Sequence, residues 1–299
     1  MRVRLHPSGP EVTRIIPGLM NLAAWDLTLT QRLHWIEAAL DLGLTTFDHA
    51  DIYGGYSCEA LFGEALALRP DLRHQMELVT KCNIALVQPA RPDHRVKHYD
   101  TSAAHIHASV AQSLTNLHTD YLDLLLLHRP DPLLNPYEVA EAFYALHRSG
   151  QVRAFGVSNF SPAQFDALQA HLDVPLVTNQ VQVSALHTDA LFDGTLDHAV
   201  RHGFAPMAWS PLGGGRLFSG NDDQADRVRA TLTEIAEHHN AGLDQVALAF
   251  VLQHPAGICP VLGTGKTERL RAAAEAAQLT LERQEWFAVL KATRDFDVP

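Results

Sequence analysis

Eight short apolar runs, each too short for a buried helix and each followed by a longer amphipathic or polar stretch, constrain this chain more than any other feature. They lie at 16–20, 45–47, 77–80, 121–127, 152–156, 176–179, 205–208 and 258–262. Helical periodicity fills the intervals: 30–42 repeats apolar residues at helical spacing before Gly43, and 101–117 does the same. Residues 135–150 open on Asn135, carry Pro136 in the first turn and close at Gly150, and Ser161-Pro162 opens another helix in the same way. Residues 189–202, 226–239 and 281–296 complete the helical set. Strand-helix alternation repeated eight times predicts an α/β fold of the (β/α)8, or TIM-barrel, kind. No Ser/Gly-rich linker divides the chain, so residues 1–299 are expected to form one domain, with a short strand pair over 2–15 ahead of the barrel. A doubly wound sheet calls for a glycine fingerprint after its first strand, whereas here the first run leads into Asn21-Leu22-Ala23-Ala24.

Composition narrows the function classes. At 46% hydrophobic and 19% charged over 299 residues, the chain can bury a sizeable core. A formal net charge of -11 argues against a nucleic-acid or anionic-membrane partner. The three cysteines, Cys58, Cys82 and Cys259, are far apart and show neither a disulfide framework nor a paired zinc spacing. The opening MRVRLHPSGPEV lacks the apolar stretch of a signal peptide and no run reaches transmembrane length, so a cytoplasmic location is expected. Eighteen histidines raise the possibility of a metal-dependent barrel hydrolase. Yet His105 and His107 fall inside a helical stretch and His238-His239 end one, so both pairs read as surface histidines and no metal is expected.

In a (β/α)8 barrel the C-terminal ends of the strands face the active site. Those positions hold Asp48 and then Tyr53, Lys81, His128, Ser158-Asn159, Asn179-Gln180, Trp209-Ser210 and the run Gly263 to Thr267. Singly, each has a plain structural use: Asp48 as a turn cap, Lys81 in a salt bridge, His128 as a satisfied core residue. Together, at the ends of three consecutive strands, Asp48, Tyr53, Lys81 and His128 can form one proton-transfer network.

Three segments then carry a resemblance: Gly43-Leu-Thr-Thr-Phe-Asp48-His-Ala-Asp-Ile-Tyr53-Gly54, Leu117-His-Thr-Asp-Tyr-Leu-Asp123-Leu-Leu-Leu-Leu-His128-Arg-Pro-Asp131, and Gly150-Gln-Val-Arg-Ala-Phe-Gly156-Val-Ser158-Asn159-Phe160. In this order they resemble the signatures of the aldo-keto reductases, and the similarity runs from about residue 12 to the C-terminus. The resemblance implies a barrel that binds a nicotinamide dinucleotide without a Rossmann domain and reduces aldehydes and ketones. It makes Tyr53 the general acid, Lys81 the ammonium that lowers the phenol's pKa from about 10, and Asp48 the ion-pair partner of Lys81. His128 would orient the substrate carbonyl.

The same resemblance assigns the cofactor. Ser158, Asn159 and Gln180 would meet the carboxamide. Trp209 would stack on the nicotinamide, in a Trp209-Ser210-Pro211-Leu212 setting where the family usually has tyrosine. Gly213-Gly214-Gly215 is either a flexible loop or a place where bare backbone, Gly214 above all, approaches the pyrophosphate. A P-loop reading of Gly265-Lys266-Thr267 fails because Pro260 stands where its first glycine is required. Instead, Lys266, Thr267 and Arg271 resemble a site for an adenosine 2'-phosphate, with Glu275 at the adenine, which implies NADPH. Glu268 and Arg269 read in part as a solvated face. Trp25 and the segment 85–98, with Arg91, Arg95 and Lys97, are expected to shape the pocket for a small carbonyl substrate. A different class remains open: a cofactor-binding regulatory or redox-sensing module on the same fold.

Overall fold

The computed structural model describes residues 1–89 and 91–297. Ala90 of the expected pocket segment, and Val298 and Pro299 of the expected domain, lie outside the described residues. Strands β1 (Arg2–Arg4) and β2 (Glu11–Thr13) pair antiparallel, as the strand pair expected over 2–15. Eight parallel strands follow: β3 (Ile16–Pro17), β4 (Thr46–Asp48), β5 (Glu77–Cys82), β8 (Leu124–Leu127), β9 (Phe155–Ser158), β10 (Leu176–Gln182), β11 (Met207–Trp209) and β12 (Cys259–Leu262). Between β5 and β8, a two-stranded pair of β6 (Ile84–Ala85) and β7 (His98–Tyr99) stands apart from the barrel.

Each of the eight apolar runs overlaps one barrel strand, and five of the strands continue past the C-terminal end of their run. Their order is β3-β12-β11-β10-β9-β8-β5-β4, and a parallel bridge between Gly18 and Asp48 joins the two ends into a barrel. Two apolar cores result. Ile16, Val79, Leu124, Leu126, Val177, Met207 and Val261 fill the barrel, and Leu5 and Val12 of the hairpin join them, so the hairpin plugs the end from which the strands start. A larger cluster, including Phe47, Phe62, Phe143, Phe155 and Phe250, packs the helices onto the outside of the sheet. Crowding inside the barrel is close enough to select residue type. A Cβ on Gly156 in β9 would lie 2.7 Å from Leu126 Cδ2 and 2.8 Å from the Thr178 carbonyl oxygen.

The helices match expectation where one face is apolar: Leu29–Asp41, Ala103–Asn116, Pro136–Arg148, Pro162–Gln169, Asp223–His239 and Arg283–Arg294. Thr28, Ser102, Asn135, Ser161 and Asp222 cap five of them through side-chain oxygens. The stretch 189–202 is not one helix. A 3-10 turn at Asp189–Leu191 is separated from a helix at Thr195–His202 by Gly194, whose φ of 86° breaks the helical path. Three further helices, Cys58–Ala67, Leu243–Leu252 and Thr267–Ala276, also pack on the outside of the barrel. Among the described residues, no helix is long and apolar enough to cross a membrane.

Candidate active site

At the C-terminal ends of the strands opens a cavity of about 610 Å³. Its walls include Asp48, Tyr53, His128, Ser158, Asn159, Gln180, Trp209, Ser210, Leu212 and Gly214, all residues singled out by the sequence. Lys81 lies beneath this surface, fully buried. Its ammonium donates to Asp48 Oδ2 at 2.7 Å, to the His49 carbonyl at 2.7 Å and to the Tyr53 hydroxyl at 3.0 Å. All three donor hydrogens of the ammonium are therefore matched by acceptors. The His128 ring stands edge-on to Tyr53, with centroids 5.8 Å apart.

Electrostatics fix the protonation states. Removal from water disfavours the Lys81 ammonium, but Asp48 and Tyr53 more than offset that cost, so its pKa lies above the ordinary value of 10.5. Burial also pushes the Tyr53 phenol above 10, and Lys81 pulls against it without reversing the direction. Sequence reasoning expected a lowered phenol; burial is the stronger effect. Burial, then the charges of Lys81, Arg129 and Lys97, holds His128 well below 6.5. At neutral pH the site thus contains a charged lysine, a protonated phenol and a neutral imidazole.

A hydrogen-bond chain links this group to the opposite wall. Trp209 Nε1 donates to Asn159 Oδ1 at 2.9 Å, Asn159 Nδ2 donates to Ser158 Oγ at 2.8 Å, and Ser158 Oγ donates to the Gln180 carbonyl at 2.8 Å. Gln180 Nε2 in turn donates to Asp48 Oδ1 at 2.8 Å. Asn159 has a φ of 61° and Ser210 one of 50°, so both strand ends turn sharply as they enter the cavity. The carboxylate of Asp48 is shared between Lys81 and Gln180, and the indole of Trp209 is tied to the same network.

The far arm of the cavity reaches the loop after β11 and the start of the helix Thr267–Ala276. Gly213, Gly214 and Gly215 all have positive φ, and a Cβ on Gly214 would meet only Ser210 Oγ, at 3.8 Å, so bare backbone faces open space there. Lys266 is the exposed N-cap of that helix and Thr267 its first residue. All of Lys266, Thr267, Arg269 and Arg271 are exposed, and of the four only Arg269 lines the cavity. Two residues turn an α-helix by about 200°, so these arginines leave it on opposite sides. Glu275 accepts a hydrogen bond from Gln245 Nε2 at 3.2 Å. Backbone cradle, cationic helix start and indole wall together suit a long, anionic dinucleotide.

The remaining sequence candidates lie elsewhere. Trp25 packs against Trp35 at 5.1 Å and against Gly265, where a Cβ would come within 2.8 Å of its ring, so it supports the loop 263–266 from behind. Among the described residues of segment 85–98, none lines the cavity. The segment folds against Tyr56, whose hydroxyl accepts from the Leu86 amide at 2.8 Å while the Arg91 guanidinium sits over its ring. Cys82 is buried, with its thiol pushed well above 9. His105 and His107 sit on the outer helix Ala103–Asn116, and His239 pairs with Glu285 at 2.8 Å. Sequence reasoning passed over Arg129, Phe218 and Asp244, which line the cavity, and assigned Arg269 in part to solvent. Arg129 carried a signal, since it directly follows His128 at a strand end. Asp244 carried none.

Known proteins share the fold and the sequence pattern. The model of the Aldo/keto reductase family matches residues 14–293. Oxidoreductase YdhF of Escherichia coli (strain K12) is 53% identical over 299 residues, covering 100% of this chain and 99% of that protein. A 6-dehydroglucose reductase of Agrobacterium fabrum is 46% identical over 280 residues, covering 93% of each chain. The crystal structure of a thermostable aldo-keto reductase, Tm1743, in complex with the inhibitor epalrestat superposes with a TM-score of 0.82 at 25% identity, over 98% of this chain and 99% of that one. From its eight-stranded barrel, its strand-end polar groups and these matches, the chain belongs to the aldo/keto reductase family.

Proposed function

We propose that this protein reduces an aldehyde or ketone to the alcohol with NADPH as hydride donor. The observation that carries the reading is the buried Lys81 ammonium, held between Asp48 and the Tyr53 hydroxyl at the floor of a cavity walled by His128. When bound, the dihydronicotinamide supplies the hydride. The chain's own residues govern the proton and the geometry. As the carbonyl oxygen gains negative charge, Tyr53 gives it a proton, and the adjacent ammonium stabilises the phenolate left behind. Asp48 keeps Lys81 charged and in place. Neutral His128 donates a hydrogen bond to the carbonyl from its cavity-side nitrogen, its Nδ1 being buried without a partner.

Trp209 offers the face for the nicotinamide. Ser158 and the amide nitrogens of Gln180 and Asn159 are committed within the protein, the last to Ser158 Oγ and the His128 carbonyl, which leaves Gln180 Oε1 for the carboxamide. Backbone at Gly214, with Ser210 and Leu212 beside it, would lie along the pyrophosphate. Lys266 and Thr267 at the helix start, joined by Arg269, would receive the 2'-phosphate that distinguishes NADPH from NADH. Arg271 and Glu275 lie further round or along that helix and would contribute at its margin.

The test is NADPH oxidation by the purified protein against a panel of aldehydes, ketones and quinones, repeated with NADH. The relatives named 6-dehydroglucose reductase, 46% and 40% identical, argue for including a polyhydroxylated aldehyde. Turnover with a carbonyl and a preference for NADPH is the expected result. Tight NADPH binding with no consumption by any carbonyl would overturn the enzymatic reading in favour of a cofactor-sensing module.

A further inference from the structure

The outer face of the barrel carries a second cluster of chemistry-bearing side chains. The helix Thr195–His202 presents His198 and His202 four residues apart and hence on one face. Asp166, on the neighbouring helix Pro162–Gln169, reaches both. Its Oδ1 lies 2.8 Å from His198 Nε2 and 3.5 Å from His202 Nε2, and the three atoms fall within 4.8 Å of one another. None of the three residues lines the active-site cavity.

The geometry points to a site for one divalent transition-metal ion of zinc-like preference, held by Asp166 Oδ1, His198 Nε2 and His202 Nε2. Two imidazoles and one carboxylate are the donor set that zinc and its neighbours favour, whereas magnesium and calcium take oxygen ligands. Metal–ligand bonds of about 2.0–2.2 Å at tetrahedral angles set ligand atoms roughly 3.3 Å apart. Asp166 and His202 already stand near that separation. His198 and Asp166 are closer because they share a hydrogen bond, which the ion would replace; His198 then binds as the neutral tautomer, its proton moved through solvent exchange from Nε2 to Nδ1 so that the Nε2 lone pair meets the metal.

Packing fixes the first ligand in advance. His198 is buried, with Phe165 and Phe204 edge-on to its ring at 4.9 and 5.8 Å, so little freedom is lost when it binds. Asp166 and His202 are exposed, which gives the ion a path in and leaves a fourth position for water. Such a site would staple together the helices that follow β9 and β10.

Untagged protein, stripped with a chelator, is titrated calorimetrically with Zn²⁺, Co²⁺ and Mg²⁺, with melting temperature followed in parallel. One Zn²⁺ per chain, a raised melting temperature, a four-coordinate Co²⁺ visible spectrum and no response to Mg²⁺ are expected. His202→Ala leaves the His198–Asp166 hydrogen bond, the metal-free melting temperature and NADPH turnover unchanged, yet weakens Zn²⁺ binding roughly tenfold or more. No stoichiometric binding by the unaltered protein, or equal binding by His202→Ala, overturns the assignment.

Discussion

Replacing Asp48 by asparagine removes one charge and almost no volume, and its consequences follow from two distances. Asp48 Oδ2 accepts from Lys81 at 2.7 Å and Oδ1 accepts from Gln180 Nε2 at 2.8 Å. Asparagine has one acceptor oxygen, so whichever way its amide lies, an NH2 meets a donor on one side. Lys81 is fully buried and Asp48 is 2% exposed, so water cannot stand in for the lost charge. Breaking a buried pair by removing one partner costs about 3–5 kcal/mol. For a chain of this size that lowers the melting temperature by roughly 5–8 °C. The raised pKa of Lys81 sets the sign with pH: its stabilisation is present below the unfolded value, about 10.4, and disappears as pH rises through the higher folded value. Asp48→Asn should flatten that alkaline decline as well as lowering the plateau. The assay is thermal or urea unfolding of both proteins from neutral to alkaline pH. A loss under about 1 kcal/mol, with the alkaline limb unchanged, would refute the claim that this pair is a buried, charged unit.

Other consequences follow from particular contacts. Arg269→Ala should remove a charge-assisted contact to the cofactor phosphate and cut the preference for NADPH over NADH roughly tenfold to a hundredfold, whereas Arg271→Ala should change it by no more than about threefold; steady-state kinetics with both cofactors decides, and equal effects would contradict the helical phase seen here. Gly156→Ala drives a methyl group to within 2.8 Å of a backbone oxygen and should cost about 1–3 kcal/mol or more in a urea titration. Because His128 is held well below 6.5, it stays neutral as pH falls through the usual imidazole range; it contributes stability that is intact above about 6.5 and lost below it, as the unfolded chain takes up the proton first. Hence kcat/KM for reduction should be level between about pH 6 and 8, and a break near 6.5 that His128→Gln removes would count against the assignment.

The barrel was legible because its strands are short apolar runs that end abruptly in polar residues. Asp48, Tyr53, Lys81 and His128 stand at or just beyond those ends for the same reason, and the cavity gathers them as the barrel topology requires. The helix Leu243–Leu252 escaped detection because every residue from Val246 to Leu252 is buried, so no apolar stripe alternates with a polar one. Cys58–Ala67 lacks a clean apolar stripe for a related reason, since its buried face includes Glu59 and Gly63 beside Phe62, Ala65 and Leu66. At the phosphate end, the choice between Arg269 and Arg271 depends on where the helix starts and which way its face turns, and a sequence does not give that phase. The balance between burial and the Lys81 charge at Tyr53 is likewise a matter of depth, which residue types alone do not encode. Nor does any local pattern reveal that Trp209, Asn159, Ser158, Gln180 and Asp48 form one hydrogen-bonded chain.

Tyr53→Phe tests the central claim most directly. The substitution removes only the hydroxyl that lies 3.0 Å from Lys81 and leaves the Trp209 wall and the Arg269 end of the cavity untouched. Loss of a positioned proton donor costs about 10²–10⁴ in rate. The account predicts single-turnover reduction slowed by at least that factor, with the dissociation constant for NADPH, followed by its fluorescence, changed less than about threefold. Reduction by Tyr53→Phe within about tenfold of the unaltered protein would show that the proton comes from another group.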